Sequence, residues 1–157
     1  MKRWILYIAI LALVAAAPTK SMNIGKLLPV KAVGVYKEEN WFRIETDTGN
    51  RGFGGTVSQA LRNMKDTASG TIYLDTAEYL ILTKDTQTAA QELEPELRPS
   101  VRVCMAAKKM DLAKVAEYLD VHTELPKLRH RKKAEEWPVI STFGDGIIFL
   151  KKVEKRA

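Results

Sequence analysis

The chain has 157 residues, 46% hydrophobic and 28% charged, with 9 Gly and 6 Pro; this suits one folded domain and excludes disordered and collagen-like chains. A single cysteine, Cys104, excludes an internal disulfide framework and the multi-cysteine zinc patterns, and two histidines leave little for a histidine-based metal site or triad. The formal net charge of +6 turns the search for partners toward anionic surfaces.

Met1-Lys2-Arg3 precede an uncharged apolar run from Trp4 to Ala17 that ends in Ala15-Ala16-Ala17. A basic start, an apolar middle and small residues at the end make a secretory signal, and the run is shorter than the ~20 residues that span a bilayer comfortably. Pro18 beyond the small residues disfavours cleavage after Ala17, because its fixed φ and missing N–H make a poor extended substrate. Residues 1–21 are therefore expected to be a signal peptide or an uncleaved membrane anchor, 22–29 a linker, and 30–157 one domain. Lys2 and Arg3 stay cytoplasmic under the positive-inside rule, so the domain is expected to be extracytoplasmic, secreted or anchored to the outer face of the membrane. No cysteine lies near the end of the apolar run, so a lipoprotein thioether anchor is not expected.

Val30, Ala32, Val33 and Val35, a polar turn at Lys37-Glu38-Glu39-Asn40, and Trp41, Phe42, Ile44 and Thr46 predict a β-hairpin. Asp47 to Gly55 is expected to be a glycine-rich loop. Thr56 and Gln59 are spaced as a capping box, and Val57, Ala60, Leu61 and Met64 behind them share one helical face. Gly70 is expected to close this helix in the left-handed conformation. Thr71–Leu74 and Tyr79–Leu82 are strand material, and residues 86–97 are polar with a helix-weakening Pro95. Val101, Val103 and Met105 alternate as a half-buried strand, with Cys104 expected as a small core residue. Asp111 caps a second helix through Leu112, Val115, Ala116 and Leu119; Val139–Phe143 and Ile147–Leu150 predict a terminal hairpin. The order predicts an α/β (α+β) class: a single mixed-sheet domain with helices packed on the sheet.

Chemistry-bearing patterns are sparse. Asp47-Thr48-Gly49 is the tripeptide with which aspartic proteases present a carboxylate, and Asp75-Thr76-Ala77 offers a second. A small aspartic-type peptidase using Asp47 and Asp75 is thus the alternative function, yet Glu45 and Thr46 stand where an apolar strand should lead in, and turn chemistry alone suits Asp, Thr and Gly. Gly52-Phe53-Gly54-Gly55 ahead of a helix resembles a phosphate cradle but lacks the Gly-Lys-Ser/Thr of a P-loop. His122 and His130 are too far apart to share a helical face, and no Gly-x-Ser-x-Gly elbow is present. No catalytic residue, cofactor or metal is expected. The interaction feature is the basic run, with Lys127, Arg129, Arg131, Lys132 and Lys133 as the candidate contact surface for an unidentified protein partner or an anionic membrane. A secretory signal argues against nucleic acid, and nothing indicates a small-molecule substrate.

Val33-Gly34-Val35 with its hairpin, Gly55-Thr56-Val57-Ser58-Gln59-Ala60-Leu61-Arg62-Asn63-Met64, the strand Tyr79–Leu82, Arg98-Pro99-Ser100-Val101-Arg102-Val103 and the helix from Asp111 to Leu119 together resemble the N-terminal domain of the Ger(x)C family, the C-subunit of spore germinant receptors. The likeness covers residues 30–120 in order, without the family's lipidation cysteine. It implies a non-enzymatic, extracytoplasmic α/β domain of a Gram-positive spore former, held at a membrane or spore envelope and working through protein contacts in germination.

Overall fold

In the computed structural model, the residues described are 26–121, 125–130, 137–143 and 147–151. The expected signal or anchor segment 1–21 lies outside them.

Five strands and one helix build the N-terminal half: β1 (Leu27–Pro29), β2 (Ala32–Glu38), β3 (Trp41–Thr46), β4 (Arg51–Gly54), α1 (Val57–Thr67) and β5 (Thr71–Tyr73). The rest comprises β6 (Tyr79–Leu82), α2 (Ala89–Leu93), β7 (Arg102–Ala106), α3 (Leu112–Asp120), β8 (Val139–Phe143) and β9 (Ile147–Lys151). Seven strands form one mixed sheet in the order β4-β3-β2-β6-β7-β8-β9. Its centre, β2-β6-β7-β8, is parallel, and β3, β4 and β9 add antiparallel borders. The fold is α+β, with helices packed on a mixed sheet, in keeping with the order of elements in the sequence.

Strand alternation divides the apolar residues between two cores. Val33, Val35, Leu80, Leu82, Val103 and Met105 face α1 and α2, whereas Ala32, Tyr36, Tyr79, Ile81, Cys104 and Ala106 face α3. Because both faces of β6 and β7 are covered, β7 is more completely buried than the half-buried strand its alternation suggests. Cys104 is buried, and burial pushes its thiol far above the ordinary value.

The caps follow the sequence. Thr56 Oγ1 accepts from the Gln59 amide at 3.2 Å, and Gln59 Oε1 reaches back to the Gly55 amide at 3.1 Å. Asp111 Oδ1 accepts from the Ala113 and Lys114 amides at 3.1 and 3.4 Å, which starts α3.

Three expectations need correction. Leu27–Pro29, placed in a linker, is strand β1 and pairs in parallel with β5. Gly70 does not take the left-handed conformation; Gly49 is the one glycine among the described residues with positive φ. A Cβ at Gly70 would sit 2.4 Å from the Lys26 carbonyl oxygen, so close approach of the chain before β1 demands glycine there. The glycine-rich segment is not a free loop, because Arg51–Gly54 is an edge strand paired to β3 and pressed against α1. A Cβ at Gly52 would lie 2.1 Å from the Ala60 carbonyl oxygen, and one at Gly54 would lie 2.5 Å from the Ala60 nitrogen. Glycine there serves helix-on-strand contact rather than phosphate binding.

Candidate functional site

The described part of the basic run is built onto β7. Residue 127 bridges residue 102 in antiparallel fashion, the Leu128 amide donates to the Val101 carbonyl at 2.8 Å, and the Val103 amide donates to the Pro126 carbonyl at 2.9 Å. Leu128 is buried and closes the first core, so its flanking residues Lys127 and Arg129 are turned outward and exposed. The same pairing brings Arg102, the first residue of β7, and Arg98, in the turn before it, to this end of the sheet. Arg131, Lys132 and Lys133 lie outside the described residues.

These cations are unevenly neutralised. Arg102 stacks over the Tyr79 ring, 5.7 Å from its centroid. Arg98 reaches Glu78 only loosely, at 3.7 Å, and its Nε is buried without a hydrogen-bond partner. Arg98 and Arg129 line a hollow of about 150 Å³ together with Leu97, Pro99, Leu128 and Glu94. Nearby, Lys31 pairs with Asp120, which also accepts from Tyr79 Oη at 3.1 Å. That pairing raises the Lys31 pKa and lowers that of Asp120, with the hydrogen bond between them the largest cause in each case. Burial, then the Asp120 hydrogen bond, pushes Tyr79 up to about 12. Comparison with protein-family models, curated proteins and solved structures returns no match.

A second concave region, of about 480 Å³, lies where β3 and β4 meet the start of α3. Its buried carboxylate is Glu45, which receives Arg43 Nη2 and Arg51 Nε at 2.9 Å each and Lys109 Nζ at 3.6 Å. Asp47 and Asp111 on the same wall are already engaged: Asp111 caps α3, and Asp47 Oδ1 accepts the Lys31 and Ala32 amides at 3.0 and 3.2 Å. These charges hold loops and a helix start in place. Elsewhere on β3 and β4, Trp41 and Phe53 are 58% and 46% exposed, with the Arg43 guanidinium 5.3 Å from the Phe53 ring centroid.

Of the aspartates in the peptidase alternative, Asp47 anchors the start of β2, and Asp75 stands exposed on the 3₁₀ turn Leu74–Thr76. No hydrogen bond joins them. His122 lies outside the described residues, and only the backbone of His130, in the turn Leu128–His130, is described. Among the described residues no group of three or more His, Cys, Asp or Glu is arranged to hold a metal, and no helix is long and apolar enough to cross a membrane.

Sequence reasoning missed Arg98 and Arg102 as members of the basic surface. The usable signal was the Arg-x-x-x-Arg spacing at the entry to an apolar strand, which puts both cations at one end of the sheet.

Proposed function

We propose that this chain is a non-enzymatic protein-interaction module, carried outside the cytoplasmic membrane by its N-terminal segment, that binds an acidic partner through the basic end of its sheet. The observation that carries the reading is the joining of Lys127 and Arg129 to Arg98 and Arg102 by the backbone pairing beside β7. Four cations from two distant segments then share a rigid support, so their contribution to binding is not spent on ordering a loop. The Ger(x)C resemblance favours the same reading, with a setting at the membrane or spore envelope of a Gram-positive bacterium and a role in germination. The secretory pattern of residues 1–17 favours the extracytoplasmic location. Exposed charges also attract anionic lipid, and both attractions weaken with salt, since the Debye length is ~8 Å at physiological ionic strength.

A photocrosslinking residue at Lys127, with Asp66 on the exposed face of α1 as control, tests this in intact cells expressing the chain tagged after Ala157. The expected result is a protein adduct from position 127, none from position 66, and loss of that adduct when protease is added to protoplasts. A tag recovered in the cytosol without an adduct overturns the reading.

A further inference from the structure

We propose that the hollow between Arg98 and Arg129 receives a single carboxylate side chain, Glu or Asp flanked by an apolar residue, from the acidic partner. This rests on the proposed function and names what its basic end recognises. Size comes first: about 150 Å³ is below the ~300–1,000 Å³ of ordinary small-molecule pockets and matches one small anionic group with a short stem. The lining is divided in the same way. Leu97, Pro99 and Leu128 give apolar lining for the stem, and Arg98 and Arg129 line the same hollow as the cations for a charged head. A guanidinium offers parallel N–H donors that match the two oxygens of a carboxylate. Arg98 is only loosely engaged: Glu78 is at 3.7 Å, Glu94 lines the same hollow without an ion pair to it, and the buried Arg98 Nε has no partner. Such an orphaned donor costs stability until an acceptor is near. Glu94 in the hollow and Glu78 beside Arg98 lower the summed potential of the surface. Both carboxylates oppose an incoming anion inside the hollow as well as across the surface, so the preference for a protein side chain over a membrane rests on the apolar lining of Leu97, Pro99 and Leu128, which seats a short stem that a lipid headgroup lacks.

The test follows the arginine Nε–Hε cross-peaks of the ¹⁵N-labelled full chain, assigned with Arg98→Lys and Arg129→Lys. The probes are acetyl-Glu-Leu-Glu-Leu-Glu-amide, its Gln counterpart, inorganic phosphate, and bicelles of phosphatidylglycerol or phosphatidylcholine. The expected result is saturable movement of the Arg98 and Arg129 signals with the Glu peptide only, and binding about tenfold weaker in each lysine variant while its backbone amide spectrum stays native. Equal movement with phosphate overturns the proposal in favour of a free-anion site; movement with phosphatidylglycerol and not phosphatidylcholine overturns it in favour of lipid. If the Glu peptide moves only the Arg102 and Lys127 signals and both lysine variants bind it normally, the hollow is not the site, and the basic end still stands as the contact surface. No movement of any of these signals overturns both.

Discussion

Replacing Gly52 by alanine places a Cβ 2.1 Å from the Ala60 carbonyl oxygen, 2.5 Å from the Met64 nitrogen and 2.6 Å from the Met64 Cβ. Two of the three obstacles are helix backbone, so no side-chain rotation relieves them. Ordinary contact requires α1 to retreat from β4 by about 1 Å, and a gap of that width forfeits a quarter to a half of the dispersion attraction between facing atoms. The residues that α1 buries are Val57, Ala60, Leu61 and Met64. Full burial of a large apolar side chain contributes about 1.5–3 kcal/mol, and forced overpacking costs about 1–3 kcal/mol in general. The Gly52→Ala variant is therefore expected to lose about 3 kcal/mol, a fall in Tm of about 10 °C at this size. Gly49→Ala is the control: its φ is +85° but nothing stands within 4 Å of the new Cβ, so it carries backbone strain alone, about 1–2 kcal/mol. Urea denaturation of both variants, followed by far-UV circular dichroism, gives the comparison. If Gly52→Ala is no less stable than Gly49→Ala, the close strand–helix contact is wrong.

Further outcomes follow from the buried charges and phenols. Glu45→Ala takes from the largely buried Arg43 its 2.9 Å partner and leaves it only the more exposed Glu38 at 3.0 Å, so it should cost about 2 kcal/mol in denaturant unfolding, and an unchanged midpoint would contradict the network. Tyr36 and Tyr79 are both held up at about 12, chiefly by burial. A phenol whose native pKa is raised stabilises the fold below pH ~10 and loses that contribution as pH rises toward 12, so a spectroscopic titration of the native protein should show these two tyrosines ionising late. The Met110 backbone amide offsets part of the Tyr36 shift, yet Tyr36 Oη has no hydrogen-bond partner, so the amide acts as a nearby dipole. Tyr36→Phe should accordingly be neutral or slightly stabilising. Asp120 is lowered and Lys31 raised, so their pairing stabilises the fold above the ordinary carboxylate value of 3.8 and below the ordinary lysine value of 10.5. Asp120→Asn should flatten the stability profile at both ends, and a profile identical to the parent chain would remove this pair from the account.

The legible parts of the fold were those written in local chemistry. Thr56 with Gln59 and Asp111 with its following amides mark helix starts by side-chain hydrogen bonds, and the spacing from Val57 to Met64 marks the buried face. What escaped depends on contacts distant in sequence. Strand β4, Arg-Gly-Phe-Gly, carries two poor strand formers, and only the helix packed against Gly52 and Gly54 explains them. Strand β1 exists through its pairing with β5, which lies beyond four intervening elements of the chain. The basic site was half legible: the run around Lys127 and Arg129 stands out as charge, whereas Arg98 and Arg102 join it through a bridge that no local pattern encodes. Edge protection was equally hidden. Asn63 Oδ1 accepts from the Phe53 amide at 3.0 Å and Tyr118 Oη from the Leu150 amide at 3.2 Å, so a helix side chain occupies an amide of each edge strand.

The central claim is that the basic end of the sheet is the contact surface, and one comparison reaches it most directly. The full chain and a variant carrying Arg98→Gln, Arg102→Gln, Lys127→Gln and Arg129→Gln are bound to immobilised poly-glutamate and released by rising salt, with circular dichroism verifying that both are folded. All four positions are partly or fully exposed, so folding should be little affected. The account predicts that the folded variant elutes at distinctly lower salt than the parent chain, whereas a control of equal charge loss on α1, α3 and the turn after β6, Arg62→Gln with Lys65→Gln, Lys84→Gln and Lys114→Gln, elutes close to the parent. Elution of the two variants at the same salt would contradict it, because net charge alone would then govern binding.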